Sequence, residues 1–471
     1  MTFKLGQLHH FGRNKEIWTK TTLFTFLFVL FSLVFFFLNP PLQTPDEPQH
    51  FIKAYALSEG KIFPIQSPET NSSGKWNSYG FMLEASVNRF VGVQPGKEYQ
   101  PLPADKAKKI VFTGTAGITN YFVLNYIPQA IGIAAGRVFG ASMLTQYYLA
   151  RFLNLICYLF IIFVAIRLFA FSKLGFGVLA LNPVAIFLAA STSGDAMIIA
   201  GTFLFVALIT RCLAKEKIAN YDIMSSGGLL ALLVLMKPTL IMLGLLYFLI
   251  PNKKLSIPRK LLWGGTILLI SVGLYELWNH FMISQQLVYQ QFANPKLQTS
   301  IFLHHPMIFI DNFVNNFILG NSGVSMQYGP SIFQGTVGTF GWLTVPLQMR
   351  WVWLFILLFI FTSLQQEENQ PHSTWLNKLI VFVSLFGFVV LTFFALYQIW
   401  NQPGSTQAIL GVQGRYFIPV SCLVPLLLAN KVKHLTISKV RAYQITFVVM
   451  MVIIGATAWT LYHAYHFIVF I

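Results

Sequence analysis

The stretch Thr21-Thr-Leu-Phe-Thr-Phe-Leu-Phe-Val-Leu-Phe-Ser-Leu-Val-Phe-Phe-Phe-Leu38 decides the class of fold to which this chain belongs. It has no charged residue, and as a helix it is long enough to cross a hydrocarbon core of about 30 Å. It is longer than the apolar part of a secretory signal peptide, and Asn39-Pro40-Pro41 follows it in place of a small-residue cleavage site. We therefore expect an uncleaved membrane anchor that forms the first span.

Similar apolar runs recur along the whole chain of 471 residues. Apolar residues make up 55% of the sequence and charged residues 10%, whereas a soluble domain carries about 25% charged residues. The net charge is +17, but the basic residues lie in short segments between apolar runs and are not gathered in one soluble domain. This distribution argues against nucleic-acid binding. The chain is thus predicted to be an all-α integral membrane protein.

We predict about eleven transmembrane helices from the apolar runs. The spans are placed near residues 21–38, 144–168, 174–191, 195–213, 225–236, 238–250, 259–281, 351–365, 379–400, 416–430 and 443–464. The segments 225–236 and 238–250 are too short to cross alone. We expect them to form a helical hairpin that dips in from the cytoplasm, with Lys237-Pro238 at its tip. One long kinked span is the alternative, and it would invert the orientation of every later segment.

The charges of the loops predict the orientation. Eighteen of the 32 Lys and Arg residues fall in short loops on one side of the spans, which the positive-inside rule assigns to the cytoplasm. They are Lys4, Arg13, Lys15, Lys20, Arg167, Lys173, Arg211, Lys215, Lys217, Lys253, Lys254, Arg259, Lys260, Lys378, Lys431, Lys433, Lys439 and Arg441. The other side carries two long loops, 39–143 and 282–350. We predict one membrane domain, residues 1–471, in the plasma membrane, with a cytoplasmic N-terminus and an external active site.

The first external loop is predicted to carry amphipathic helices, and the first of them holds three site residues. Thr44 is a good N-cap, Glu47 completes a capping box, and Gly60 is a natural stop. Both acids of Asp46-Glu47 can simply serve the helix N-terminus. However, a capping box needs only one acid, and a carboxylate at the mouth of the bilayer is costly unless it is used. Asp46 is therefore a candidate catalytic acid or base, and His50 follows one turn later on the same face.

A second helix of this loop, ending near Gly140, is expected to lie in the membrane interface.

Ionisable residues also recur at the outer ends of the predicted spans. They are Arg151, Asp195, Lys237, Glu276 and Arg415, with Tyr416 beside the last. Simpler roles exist for several of them: Asp195 with Ser193 can cap a helix, Glu276 can bond to His280, and Arg415 can be an interfacial anchor. A cation at the hairpin tip needs an anion, and a lipid phosphate would serve. Taken together, these residues predict a pocket that holds a carboxylate among cations suited to phosphate.

The residues that often bind metals show no suitable spacing. The adjacent His304 and His305 point apart on a helix, and Cys157, Cys212 and Cys422 lie far apart in apolar runs. We predict no metal site and no organic cofactor, and the sequence leaves a requirement for a divalent metal open.

Four stretches resemble a bacterial multi-spanning membrane family, the domain of unknown function 2142. They are Thr44-Pro-Asp-Glu-Pro-Gln-His-Phe51, Tyr147-Tyr-Leu-Ala-Arg151-Phe-Leu-Asn154, Ser191-Thr-Ser-Gly-Asp195-Ala196 and Gly411-Val-Gln-Gly-Arg415-Tyr-Phe-Ile-Pro419. That family is similar to the C-type (GT-C) membrane glycosyltransferases, which use polyprenyl-phosphate-linked sugars and keep an acidic motif in the first external loop. The resemblance implies a GT-C-like fold, with Asp46 or Glu47 as the acidic motif. It also implies Arg151, Lys237 and Arg415 as candidates for binding the donor phosphate.

The leading hypothesis is a membrane glycosyltransferase that moves a sugar from a polyprenyl-phosphate donor to a glycan or glycolipid of the cell envelope. Asp46 would act as the base, and the cations would stabilise the departing phosphate. A transporter or flippase of lipid-linked sugars is the first alternative, and a polymerase or ligase of such glycans is the second. The long external loops favour an enzyme, and the sequence shows no internal repeat of the kind found in many transporters.

Overall fold

The computed structural model describes residues 22, 24–67, 79–93, 99–282, 292–318, 331–365, 367, 370–406, 408–429 and 437–466. Within these ranges the chain is mostly helical, with little sheet. The predicted cytoplasmic residues Lys4, Arg13, Lys15, Lys20, Lys431 and Lys433 lie outside the described residues, as do parts of both predicted external loops.

Five helices of the described chain are long and apolar enough to cross a membrane. They are α6 (Met143–Leu168), α9 (Asp195–Ala214), α11 (Ile257–Phe281), α16 (Trp375–Trp400) and α19 (Lys439–His466). Two more predicted spans are shorter apolar helices, α1 (Phe24–Leu38) and α15 (Met349–Ser363). The chain is therefore a membrane protein with several apolar helices, as predicted, whereas the number of eleven crossings stays a prediction.

Two predicted spans are broken into shorter helices by proline. The segment 174–191 consists of α7 (Lys173–Ala180) and α8 (Pro183–Ala189). Asn182 separates them and caps α8 by accepting hydrogen bonds from the amides of Val184 (2.9 Å) and Ala185 (3.2 Å). Both pieces are buried, so the break lies inside the helical core.

The second broken span is 416–430. It begins as a 3-10 turn, Gly414–Phe417, and continues as α17 (Ile418–Ser421) and α18 (Val424–Leu428). Pro419 and Pro425 each lack an amide hydrogen and interrupt the helical ladder, although each suits the first turn of its own short helix.

The segments on either side of Lys237 fold back on each other. They are α10 (Asn220–Met236) and a 3-10 helix, Pro238–Leu249. The Tyr247 hydroxyl donates to Ser226 Oγ at 2.9 Å, and a Cβ on Gly244 would lie 3.7 Å from Leu230. Residues at equal distances before and after Lys237 are therefore in contact, as an antiparallel hairpin requires. Lys237 itself is extended, which is the conformation favoured by a residue before proline. The side from which the hairpin enters the membrane stays a prediction.

The first long loop folds as a small α+β unit, so the all-α prediction needs a correction there. Its helices are α2 (Glu47–Ser58), α3 (Ala85–Val91), α4 (Ala104–Ala107) and α5 (Ile127–Val138), and its strands are β1 (Ile65–Gln66), β2 (Tyr79–Glu84) and β3 (Ile110–Gly114). The strands form one antiparallel sheet in the order β1-β2-β3. This unit has its own apolar core, which includes Phe51, Phe90 and Tyr147 of α6. The core explains why α2 is buried on nearly all sides and is not the amphipathic surface helix that we expected.

The second long loop folds as a few short helices followed by a hairpin. It comprises α12 (Pro295–His304), α13 (Pro306–Phe313) with a π-helical turn at Val314–Ile318, and α14 (Ser331–Val337). A two-stranded hairpin follows, formed by β4 (Thr339–Phe340) and β5 (Val345–Pro346). The tryptophan at the tip of this hairpin, Trp342, donates to the Leu42 carbonyl at 3.0 Å, so the second loop rests on the start of the first.

Candidate functional site

A cavity of about 1500 Å³ lies between the two long loops and the adjoining ends of several helices. Its walls come from the turn before α2, the first turn of α9, the hairpin tip, the ends of α11 and α16, the β4–β5 turn and the segment before α17. Five of the nine residues that the sequence nominated line it. They are Asp46, Asp195, Lys237, Glu276 and Tyr416.

Arg415 lies behind this lining and joins two of its carboxylates. Its Nη2 atom donates to Asp46 Oδ2 at 2.6 Å, and its Nη1 atom donates to the Pro45 carbonyl at 3.2 Å. Asp195 Oδ2 is 3.7 Å from the same Nη1. An arginine guanidinium is not deprotonated in proteins, and Asp46 and Asp195 give this one two counter-charges. The guanidinium therefore stays charged and holds Asp46 in place, while 42% of the Asp46 side chain remains exposed.

The backbone of the turn that carries Asp46 is unusual. Asp46 has φ 60° and Leu42 has φ 64°, and both lie in the left-handed region that non-glycine residues rarely adopt. The predicted capping box is half formed, because Glu47 accepts from the Thr44 amide at 3.1 Å but the helix begins at Glu47 itself. The other Glu47 oxygen accepts from the Thr192 amide at 3.0 Å. Glu47 is fully buried and ties the turn to the start of α9, so its position is that of a structural carboxylate.

The Arg415 segment is positioned by two glycines. A Cβ on Gly411 would lie 2.7 Å from the Trp400 ring, and one on Gly414 would lie 2.3 Å from the Gly335 backbone. Gly411 also has φ 76°. Neither glycine has room for a side chain, and this close packing fixes Arg415 next to α14.

Lys237 reaches the cavity from the hairpin tip. Its Nζ donates to the Tyr416 carbonyl at 3.3 Å and lies 4.8 Å from the Tyr416 ring centre and 5.5 Å from that of Phe388. None of the ion pairs found among the described residues includes Lys237. A carbonyl dipole and two ring faces contact its charge, and the Asp195 carboxylate acts on it from beyond ion-pair distance. An anionic group in the cavity could therefore be a counter-charge in direct contact with Lys237.

Besides Glu47 and Arg415, two further nominated residues do not line the cavity. Arg151 is fully buried, with Nε donating to the Ala190 carbonyl at 2.5 Å and Nη1 donating to the Asn39 carbonyl at 3.1 Å. It joins backbone segments and is not placed to meet a donor phosphate. His50 pairs through Nδ1 with the Tyr126 hydroxyl at 2.8 Å. Burial is the main cause that lowers the pKa of His50 to about 4, so this ring is neutral at physiological pH.

The remaining nominated carboxylate, Glu276, lines the cavity from α11 together with His280. Within the described ranges no hydrogen bond joins these two side chains, so their mutual pairing, one of the simpler roles considered for them, is absent. Across the same ranges no group of three or more His, Cys, Asp or Glu residues is arranged to hold a metal ion.

Several neutral residues of the lining were not nominated from the sequence, and three of these are Gln49, Trp342 and Gln413. The sequence did contain a signal for two of them. Gln49 follows Asp46 by nearly one helical turn, and Gln413 stands inside the quoted 411–419 motif. Trp342 lies in the second long loop, where no pattern distinguishes it.

Comparison with known families matches residues 27–424 to the family of predicted membrane proteins designated DUF2142. The chain belongs to DUF2142. The match confirms the family resemblance drawn from the sequence, and it includes all nine nominated residues and both members of the Arg415–Asp46 pair. A search of curated proteins finds no match to the chain. The DUF2142 description states a membrane location and assigns no reaction, so the chemistry has to be argued from the cavity.

Proposed function

We propose that this DUF2142 protein is a GT-C-like membrane glycosyltransferase that moves a sugar from a polyprenyl-phosphate donor to a cell-envelope glycan or glycolipid on the external face of the plasma membrane. One observation carries the proposal: a single large cavity is lined by a partly exposed carboxylate, Asp46, and by a lysine, Lys237, that forms no ion pair with any carboxylate of the described residues. A sugar phosphate needs both kinds of group, one for the acceptor proton and one for the phosphate.

The reaction would proceed by attack of an acceptor hydroxyl on the anomeric carbon of the donor. The new bond joins the acceptor oxygen to that carbon, and the bond from the carbon to the phosphate oxygen breaks, with its electron pair leaving on the phosphate. Asp46 would take the hydroxyl proton. Lys237 would stabilise the charge on the departing phosphate, as preorganised cations do at developing anions. Arg415 would act as a positioning residue, since it holds Asp46 at 2.6 Å from behind the lining.

The shape of the site supports a substrate attached to lipid. The cavity reaches the outer turns of α11 and α16, which are long apolar helices, and it is also lined by leucines and isoleucines of the hairpin and of these helices. A polyprenyl tail can remain in the hydrocarbon region while its phosphate meets Lys237, because the polar part of such a lipid lies at the headgroup level.

One observation favours the transporter alternative. Arg415 already engages Asp46 and approaches Asp195, so two of the carboxylates of the lining have a counter-charge within the protein. A flippase would use such a pair only to shape a basic passage, and its transport would not require a proton acceptor at Asp46.

Mass spectrometry of envelope glycans tests the proposal. A deletion strain is complemented with the wild-type gene, with Asp46→Asn or with Asp105→Asn, an exposed aspartate of the same external loop. We expect loss of one sugar substituent in the deletion strain, restoration by the wild type and by Asp105→Asn, and no restoration by Asp46→Asn at equal protein level. Full restoration by Asp46→Asn would refute the base and favour transport.

A further inference from the structure

Part of the cavity lining consists of neutral hydrogen-bonding groups. Gln49 and Gln413 both line the cavity, and the Oε1 atom of each is buried without a hydrogen-bond partner among the described residues. Gln413 is only 8% exposed. A buried amide oxygen without a partner is destabilising. Because a carboxamide can turn over, either its oxygen or its NH2 group can be presented to a ligand.

The two amides flank the carboxylate of the site. Gln49 stands three residues after Asp46 in the first turn of α2, and both side chains line the cavity. Gln413 precedes the Gly414-Arg415 pair, and Arg415 holds Asp46 directly. A molecule bound by both amides would therefore lie next to the Asp46 carboxylate.

An aromatic ring completes this part of the lining. Trp342 is 41% exposed and lines the cavity from the turn between β4 and β5. The turn is bracketed by Gly341 at φ 61° and Leu343 at φ 65°. The indole nitrogen donates to the Leu42 carbonyl at 3.0 Å, which fixes the edge of the ring and leaves its face available for packing.

Backbone contacts hold these three side chains in one unit. Trp342 bonds to Leu42 and Arg415 bonds to Pro45, so two distant segments rest on the same short turn. The backbone at Gly414 packs against α14, which leads into the β4–β5 hairpin. The arrangement is therefore positioned before any ligand binds, which limits the entropy lost on binding.

We propose that Gln49, Gln413 and Trp342 form a subsite for a neutral pyranose ring beside Asp46. A hydroxyl both donates and accepts, as a carboxamide does, whereas an anion would be met by donors alone, such as Lys237. The indole face would pack against the C–H face of the sugar. The inference rests on the proposed function, because it assigns the saccharide part of that substrate to this portion of the cavity.

Saturation-transfer NMR on the full-length protein tests the indole contact. The protein is placed in lipid nanodiscs free of glycoside detergent and is titrated with methyl pyranosides of several configurations. We expect Trp342→Ala to weaken binding of the best pyranoside by about fivefold to tenfold, and Trp342→Phe to retain it within about threefold. Trp375→Ala removes an exposed tryptophan outside the cavity and should have no effect. If Trp342→Phe loses as much as Trp342→Ala, the bond to Leu42 is what matters and stacking is refuted.

Deoxy sugars test the two amides. Gln413→Leu and Gln49→Leu should each weaken binding of the parent pyranoside by about fivefold to tenfold. For each variant, the loss of affinity should disappear when binding is measured with the deoxy derivative that lacks the hydroxyl contacted by that glutamine. Equal losses against every deoxy derivative would mean a general distortion and would overturn the amide contacts.

Competition identifies which saccharide uses the subsite. Displacement of the methyl pyranoside by a polyprenyl-phosphate sugar indicates the donor sugar, whereas simultaneous binding with the same polyprenyl-phosphate sugar indicates the acceptor, and both outcomes support the subsite. Absence of saturation transfer to every pyranoside at millimolar concentration overturns it. Because these readouts need no turnover, failure of the subsite is distinguishable from failure of the transferase reaction, which is measured through envelope glycans.

Discussion

Two polar clusters lie close together at the base of the first long loop, and they differ in what their side chains bind. The inner cluster contains Glu47, Arg151 and Asn154, which are fully buried and bond mainly to backbone groups. The cavity cluster contains Asp46, Asp195, Lys237 and Arg415, of which the first two pair with Arg415 through side chains. The first residues of the two clusters, Glu47 and Asp46, are neighbours in the chain.

The two clusters therefore differ in role: the inner cluster holds the fold together, and the cavity cluster is the candidate for binding a substrate. A backbone amide or carbonyl cannot leave its partner without unfolding a segment, so the inner cluster is locked by the fold. Side chains that face a cavity can exchange one partner for another when a ligand enters. In the inner cluster, the carboxylate and the guanidinium tie backbone segments together. In the cavity cluster, the guanidinium of Arg415 lies behind the lining and the carboxylate of Asp46 is partly exposed to the cavity.

The variant Asp46→Asn is the strongest test of the difference between the inner cluster and the cavity cluster. This variant keeps the size of the side chain but cannot accept the acceptor proton, so we expect sugar transfer to fall by about 10²- to 10⁴-fold. The measurement is transfer by purified protein in nanodiscs, using the donor identified from the envelope glycans. The unfolding temperature should fall modestly, because the buried Arg415 loses one of its two counter-charges while an asparagine oxygen can still accept its hydrogen bond. A large loss of stability with normal specific activity would place Asp46 in the structural cluster instead.

Lys237→Met should weaken binding of polyprenyl phosphate by about tenfold to a hundredfold, because it removes a charged donor from the cavity. Affinity for a neutral acceptor should remain within experimental error. The matched control is Lys254→Met, since Lys254 also donates to backbone carbonyls but does not line the cavity. Equal losses for the phosphate and the acceptor would indicate a general disturbance of the hairpin tip and would contradict the phosphate role.

Glu47→Gln tests the inner cluster. The two oxygens of Glu47 accept from the Thr44 and Thr192 amides, and a glutamine can replace only one of them because its NH2 group would face an N–H. We expect a loss of about 1–3 kcal/mol in stability, which is the cost of a buried donor left without a partner. Unfolding in denaturant measures it, and the catalytic rate of the folded fraction should be retained. A stable Glu47→Gln protein without activity would reverse the assignment of the two acids.

The sequence predicted the membrane class and most helix positions because the bilayer imposes a simple rule. Every backbone group in hydrocarbon must be paired within a helix, so long apolar runs become helices. The rule fails in detail at 174–191 and 416–430. We predicted one continuous span in each segment because both are apolar, but Pro183, Pro419 and Pro425 break them into shorter helices. The three-stranded sheet was missed because its pairing joins residues that are far apart in the chain and leave no periodic signal.

The candidate site was predicted in part for a similar reason. Ionisable residues near span ends are informative, and this pattern alone predicts that Asp46, Lys237 and Arg415 meet in one pocket. Sequence cannot show whether a buried arginine finds carbonyl partners, so Arg151 was assigned to the phosphate together with Arg415. Neutral residues carry no such signal, which is why Trp342 was not nominated.

The smallest expected effect concerns Lys53, a third buried cation of this region. It is 2% exposed on α2 and donates to the Thr119 carbonyl, and burial lowers its pKa from 10.5 to about 7. Between these two values the unfolded chain binds more protons than the folded protein, so this lysine makes stability rise with pH across that window. Lys53→Met should remove this rise, and its unfolding temperature should exceed that of the wild type most clearly near pH 7.

Lys106→Met, at an exposed lysine of the same loop, should follow the wild type at every pH. If both variants show the wild-type slope, Lys53 is charged inside the fold and belongs with the paired groups of the inner cluster.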